Sequence, residues 1–495
     1  MVSRGMDNGR RISLISWTLV SISTFSVVAF IFLHPVGNSD IFWQIKAGEY
    51  IGQNGLPPGK DIFSYVVQGS AWIDLQWLTE LLFFSVERVG GFVGLSVLST
   101  ALGLVLLLLL LVGLKRMGVS AFRSLILITL ILMFSSFRLQ LLRPELFCFI
   151  FFAAFLVTID KRGKLTRSEI VSLILIQILW SNMHASALLG PLIVLIFSIR
   201  KPKLLYFVPV LMVSMMLNPF GFQVYLYPLN HILSDRMLAI TSDWSGPNMF
   251  HGEISFAAWG AVVLAAVSGI MIFVKKRVNL PALILTIITL GAGFWAARFM
   301  PLSLISLGWL LGDLVSGSKG EALCCGLRRG LVVASALVIT MSIAGSIFAG
   351  PPTGLRIMDG KYLFVLGRKA GVGIAKEDFP ERAAIFIKAM GLNGNMFNDM
   401  AYGGYLIYML WPSQKVFIDT RTQVYGDLFI SNYSNTLFDE QIFNNFVKAQ
   451  DISYVIYDPR QLNAPGGPLK FLLNNDRWKL FFSSDKAVIF IRLDD

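Results

Sequence analysis

Four acids stand close together between His34 and Glu80, in the stretch HPVGNSDIFWQIKAGEYIGQNGLPPGKDIFSYVVQGSAWIDLQWLTE. They are Asp40, Asp61, Asp74 and Glu80, interleaved with Trp43, Trp72, Trp77 and several Gly and Pro. One apolar segment precedes this stretch and a long series follows it. Carboxylates held in an aromatic, turn-rich loop beside apolar runs point to a site that handles a polar substrate. A solvated connection between two helices would carry a similar composition. More polar groups recur at the ends of later apolar runs: Arg138, Arg143 and Glu145; Trp180, Asn182 and His184; Asn218, His231, Asp243, Trp244 and His251; Trp295, Arg298 and Pro301. Charges at span ends are costly unless paired or wet, so a shared aqueous cavity would account for them.

Each residue type admits two readings. Arg143 and Arg298 suit a phosphate or pyrophosphate, because a guanidinium presents a forked, permanently charged donor set. They could equally snorkel to lipid headgroups. Asp61 and Asp74 could bind substrate, or could cap helices or turns. Trp43 and Trp77 could stack on a sugar or sit in an interfacial belt. A lone histidine such as His184 is more often a satisfied interior group than a catalyst. No two-His, one-carboxylate spacing falls within one span, so the expectation is no dedicated metal site. A divalent cation such as Mg or Mn, shared by an acid and a lipid phosphate, stays open.

The elements that must position these residues are mostly apolar helices. The 495 residues are 55% hydrophobic with a mean hydropathy of +0.66, well above a soluble average. Several nearly uncharged runs approach the twenty residues that cross a hydrocarbon core of about 30 Å. Spans are expected at 13–33, 92–114, 121–139, 145–159, 169–185, 187–199, 204–220, 256–274, 279–297, 300–315 and 330–350, about eleven in all. Ser13–Leu33 lacks a small-x-small cleavage pattern and reads as a retained first span. The segment 75–89 is amphipathic and is expected to lie along the interface.

The net charge of +12 could imply a nucleic-acid partner, but its distribution argues against one. The basic residues form short clusters: Arg10 and Arg11; Lys115, Arg116 and Arg123; Lys161, Arg162, Lys164 and Arg167; Arg200, Lys201 and Lys203; Lys275, Lys276 and Arg277; Lys319, Arg328 and Arg329. They fall in every second connection, the positive-inside pattern, with a cytoplasmic N-terminus. The acids collect in the opposite connections. Cys148, Cys324 and Cys325 form neither a metal framework nor a disulfide scaffold.

After Gly350-Pro351-Pro352 the composition changes. The expectation is a multi-span domain over 1–350, with a first external loop at 34–91, and an extracytoplasmic soluble α/β domain over 351–495. In that domain 415–419, 454–458 and 487–493 read as strands, and 381–390 and 440–449 as helices. No repeat, Gly-rich phosphate loop, HExxH, CxxC or GxSxG is present.

An ordered set of motifs then carries a resemblance. Asp40-x-x-Trp43, Gly48, Gly55, Pro57, Asp61-Ile62-Phe63-Ser64-Tyr65, Trp72, Trp77-Leu78-x-Glu80 and Gly90-Gly91 come first. Arg143-Pro144-Glu145, Trp180-x-Asn182-x-His184, Trp244-x-x-Pro247 and Ala297-Arg298-Phe299-x-Pro301 follow. Phe397-Asn398, Gly403-Gly404-Tyr405 and Phe417-Ile418-Asp419-x-Arg421 close the series. Together they resemble bacterial membrane glycosyltransferases of the GT-C superfamily, of the dolichyl- or undecaprenyl-phosphate-sugar mannosyltransferase and aminoarabinose transferase type.

The resemblance implies a lipid-phosphate-linked sugar donor and an acceptor that is a glycan, lipid or protein. It places the chain among membrane lipids in the bacterial inner membrane. It also implies a catalytic acid in the first external loop. Asp40 is the matching position, with Glu80 as a second acid; the usual Asp-Glu or Glu-x-Asp pairing is absent, since Ser39 and Ile41 flank Asp40. Transfer from a sugar phosphate needs a base for the acceptor proton and positive charge on the leaving phosphate. Arg143 and Arg298 would supply that charge, with His184, Asn182, Trp43, Asp61, Asp74 and Trp244 lining the substrate site. Two alternatives stay in view. One is a non-catalytic GT-C-like subunit that assists polysaccharide or glycoprotein assembly. The other is a transporter of lipid-linked sugar, for which the pseudo-symmetric halves are lacking.

Overall fold

The computed structural model describes residues 18, 21–22, 24–161, 163–232, 246–247, 255–316, 352–358, 361–366, 371–460 and 467–493. Trp244, the Cys324–Cys325 pair and the expected span at 330–350 lie outside the described residues. The chain is mostly helical with a small C-terminal sheet, and it folds into two compact units. One draws on Met1–Val36, Phe92–Leu217 and Asp243–Gly373, the other on Gly37–Gly91, Asn218–Ser242 and Ile374–Asp495.

In the first unit the apolar runs become helices close to their expected limits. Ala121–Phe134, Glu145–Ile159, Arg167–Met183, Ser255–Lys275, Leu280–Trp295 and Met300–Val315 are the main ones. Among the described residues three helices are long and apolar enough to cross a membrane: Trp77–Arg116, Phe256–Lys275 and Ala297–Val315. Five more apolar helices are shorter. The runs expected at 187–199 and 204–220 each open with a 3₁₀ turn, Ala185–Leu188 and Pro202–Phe207, before the helices Leu189–Phe197 and Val208–Met215.

Helix Glu145–Ile159 is buried along almost its whole length. Its C-terminal carbonyls are held by cations from other connections. Arg116 Nη1 donates to the Val157 carbonyl at 3.2 Å, and Lys201 Nζ to those of Ile159 and Lys161 at 2.7 and 2.6 Å. Positive charge at a helix C-terminus complements its dipole. Asp160, just beyond, accepts from Trp309 Nε1 at 2.9 Å and Asn279 Nδ2 at 3.2 Å. Helix Met300–Val315 ends the same way: Arg123 Nη1 donates to the Val315 carbonyl at 3.2 Å, and Arg277 Nη2 to that of Asp313 at 3.0 Å. Cations from three connections that the sequence grouped on one side therefore collect at one end of this helix set.

The segment expected to lie at the interface, 75–89, opens the 40-residue helix Trp77–Arg116. Gly91 interrupts that helix with φ 58° and ψ −156°, a left-handed φ that favours glycine.

The second unit holds a four-stranded sheet. Its strands are β3 (Asn395–Asn398), β4 (Ile452–Tyr457), β5 (Trp478–Ser483) and β6 (Val488–Arg492), in the order β3-β4-β6-β5. β3 and β4 are parallel; β4–β6 and β6–β5 are antiparallel. Two further strands, β1 (Pro352–Met358) and β2 (Lys361–Leu366), pair as an antiparallel hairpin in the first unit. Helices Glu381–Met390 and Glu440–Ala449 form at the expected residues, and β4 and β6 at the expected places.

The expected strand at 415–419 is a correction. Apart from one isolated bridge, Ser64 to Val416, it joins no ladder. Its backbone bonds go instead to the Asn398 side chain, whose Nδ2 donates to the Ile418 carbonyl at 2.7 Å and whose Oδ1 accepts from the Phe417 N–H at 2.9 Å. Helix Met400–Leu410, capped by Asp399, which accepts the Ala401 N–H at 2.8 Å, packs on helix Asp40–Asn54. A Cβ on Gly404 would collide with the Ser39 carbonyl and one on Gly403 with that of Ile418. This Gly-Gly pair thus lets three backbones close in around residues 39–40 and 418–419.

Candidate functional site

Within the second unit, Asp40 occupies the first turn of helix Asp40–Asn54, where an acid complements the helix dipole. Its backbone N–H is held by Asn38 Oδ1 at 3.2 Å, and Oδ1 of Asp40 accepts the Thr420 hydroxyl at 2.5 Å. Trp43 Nε1 donates to the same Thr420 oxygen at 3.1 Å. Asp40 and Trp43, expected as site residues, are therefore joined through a residue some 380 positions later.

Directly beside Thr420 lies a buried ionic knot. Arg421 donates two parallel bonds to Asp419, Nε to Oδ1 at 2.9 Å and Nη2 to Oδ2 at 2.7 Å, and its Nη1 lies 2.7 Å from Asp61 Oδ1. All three side chains are fully buried. The guanidinium packs against the rings of Trp72, Phe63 and Trp43 at 4.5, 4.9 and 5.8 Å from their centroids, the geometry of cation–π attraction. Burial pushes the Asp61 carboxyl up from its ordinary value, and Arg421 opposes that shift. Burial alone would depress the Arg421 guanidinium, but Asp419 and Asp61 outweigh it. Asp61 also closes a turn, accepting the Ser64 N–H at 2.9 Å, so its turn-capping reading describes its geometry.

Asp74 and Glu80 form a second buried cluster. Asp74 accepts the Gln76 N–H at 3.2 Å, and Glu80 accepts from Gln76 Nε2 at 3.1 Å. The two carboxyls interact directly, and each keeps one buried oxygen outside any other hydrogen bond. Two buried carboxyls side by side each disfavour the other's ionisation. Burial pushes Asp74 up to about 6. Glu80 is 0% exposed, so it has no solvent face from which to meet a substrate. Its side chain is used inside the fold, beside Gln76 and Asp74.

The first unit holds the arginines. Glu145 opens its helix and accepts two bonds from Arg138, Nε at 3.1 Å and Nη2 at 2.6 Å, and a further ion pair from Arg298 Nη2. Arg143 acts on the same carboxylate. These four side chains carry three positive charges and one negative, a formal balance of +2. Arg138 stood in the sequence pattern, but Arg143 and Arg298 alone were singled out for phosphate. The signal that could have added it is Glu145, seven residues on, which needs a partner when buried.

His184 and Asn182 are both hydrogen-bonded within the fold. His184 Nδ1 accepts the Ser186 N–H at 3.1 Å and caps a 3₁₀ turn. Ser186 Oγ lies 2.7 Å from the same nitrogen and accepts from Trp180 Nε1 at 3.0 Å. With Nδ1 accepting, the neutral ring carries its proton on Nε2. Asn182 Nδ2 ties its helix to the Leu217 carbonyl at 2.9 Å. Among the described residues no three His, Cys, Asp or Glu side chains gather as a metal-binding group.

No protein-family model and no curated protein matches the sequence. Among solved structures, the fold is similar to that of the archaeal oligosaccharyltransferase AglB from Archaeoglobus fulgidus, solved in complex with an inhibitory peptide and a dolichol-phosphate. The TM-score is 0.54 at 12% identity, covering 90% of this chain and 69% of that one. The likeness is one of fold. It gives no support to a bacterial origin.

Proposed function

We propose that this chain is a membrane glycosyltransferase that moves a sugar from a polyprenyl-phosphate donor to an acceptor on the outer face of the inner membrane. The observation that carries the reading is the fold shared with an oligosaccharyltransferase whose structure holds a dolichol-phosphate. Asp40 is the base that takes the acceptor proton as the acceptor oxygen attacks the anomeric carbon. One displacement with one base inverts that centre. The phosphate leaves with the lipid, and Arg143, Arg298 and Arg138 hold its charge. Trp43 offers an indole at the edge of the Asp40 cluster.

The test uses the purified full chain in lipid nanodiscs. Undecaprenyl-phosphate mannose and undecaprenyl-phosphate aminoarabinose are the probes, water serves as the acceptor of the released sugar, and release of undecaprenyl phosphate is followed. Turnover by the wild type and a loss of about 10²–10⁴-fold in Asp40→Asn are expected. Undiminished release by Asp40→Asn removes that residue from its role. The rival reading, a GT-C-like subunit without catalysis, draws on the Thr420 hydroxyl already occupying Asp40 Oδ1. Donor that binds without ever turning over would establish that rival.

A further inference from the structure

We infer that Thr420 is a positioning residue for Asp40: its hydroxyl sets the orientation of the carboxylate that serves as the base. The inference rests on the reading of Asp40 given above and adds a residue that no motif in the sequence marks.

The direction of the bonds is fixed by chemistry. An indole N–H only donates, so Trp43 Nε1, 3.1 Å away, must give its hydrogen to the Thr420 oxygen. A carboxylate only accepts, so the single hydroxyl proton of Thr420 goes to Asp40 Oδ1 at 2.5 Å. The chain Trp43 → Thr420 → Asp40 has one polarity, and bonds to an ionised acceptor are the stronger kind.

Thr420 is itself held on both sides. Asp419 and Arg421 are fully buried and bonded to each other, and Arg421 is bonded to Asp61. Asn398 holds the backbone of Phe417 and Ile418. On the opposite side, the Ser39 carbonyl is pressed against Gly404. The donor and the acceptor therefore sit on two rigid supports, and a base so held keeps its geometry between turnovers. Misplacing a reacting group by about 1 Å can cost on the order of 10²-fold in rate.

The experiment compares Thr420→Val, which keeps the shape and removes the donor, with Thr420→Ser, which keeps the hydroxyl. Release of undecaprenyl phosphate from the two undecaprenyl-phosphate donors is measured on the full chain in nanodiscs. In Thr420→Val, kcat is expected to fall by about 10- to 100-fold with donor KM within about twofold of wild type. Thr420→Ser is expected to recover to within about threefold. A packing role would instead move kcat and KM together, and the serine variant would not rescue.

Wild-type kcat in Thr420→Val, or equal losses in the two variants, overturns the inference. Should the valine variant fail to fold, Trp43→Phe removes the indole donor while keeping an aromatic ring. It is expected to lower kcat, and an unchanged kcat there counts against the inference. The two failures are separable. If Asp40→Asn retains activity, or the wild type turns over neither donor, the functional reading itself falls. If Asp40→Asn is inactive while Thr420→Val is unimpaired, only the positioning role falls.

Discussion

At the scale of single residues, the buried carboxyls divide into those that contact an arginine and those that face one another. Asp419 and Asp61 belong to the first kind through Arg421. Asp74 and Glu80 belong to the second: they face each other, with Gln76 beside them and Arg421 acting only as a weaker, more distant influence. The consequence for stability has a definite sign. Burial raises Asp74 from an ordinary value of 3.8 to about 6, so the folded chain binds this proton more tightly than the unfolded chain. The fold is then favoured most below 3.8 and loses stability as pH rises through about 6. Asp74→Asn supplies a neutral donor to Glu80 without that titration. It is expected to melt higher than wild type at pH 7 and to lack the decline between pH 4 and pH 6. Parallel melting curves for the two proteins across that range would show that Asp74 is ionised in the fold. The acids of this stretch were conspicuous in the sequence, but which would pair with Arg421 and which with each other was not, because Arg421 lies hundreds of residues away.

At the scale of elements, local patterns were legible and long-range substitutions for them were not. Glu381–Met390, Glu440–Ala449 and Glu145–Ile159 form where the sequence placed them, since each carries its own helical pattern. The KVFID segment looks like a strand by composition, yet an asparagine side chain takes the place of a neighbouring strand along it, an exchange no periodicity reveals. The glycines at 403 and 404 were visible as part of a motif, while their purpose appears only in the packing of helix Met400–Leu410 against residues 39–40 and 418–419. That purpose predicts a specific sensitivity. Gly404→Ala puts a methyl group into the Ser39 carbonyl and forces the two helices apart, which for an overpacked contact costs about 1–3 kcal/mol. Its melting temperature is expected to fall by a few degrees, and its transfer rate to fall further than stability alone explains, because Asp40 follows Ser39. Unchanged melting and unchanged transfer would mean the helices are not held at this spacing in solution.

At the scale of the whole molecule, the informative pattern is the distribution of charge along the chain. Basic residues from connections far apart in sequence meet at the C-terminal ends of Glu145–Ile159 and Met300–Val315. The arginines proposed for phosphate meet instead at the start of Glu145–Ile159. A helix of that length separates the two groups by roughly 20 Å at 1.5 Å per residue, most of a hydrocarbon core. A cluster of solvated cations at one end and a paired, half-buried one at the other is what the positive-inside rule and a lipid-phosphate site would each require on opposite sides of a bilayer. The orientation this implies can be measured directly in a bacterial host. Alkaline phosphatase folds only outside the cytoplasm, so a fusion after Leu493 is expected to be active, while one placed in the basic connection near Lys164 is expected to be silent. A cytoplasmic reporter such as β-galactosidase should give the reverse pair. If the Leu493 fusion is silent and the Lys164 fusion active, the charge clusters face the other way. The acids and arginines assigned to transfer would then lie on the cytoplasmic side, where an externally oriented lipid-linked donor cannot reach them.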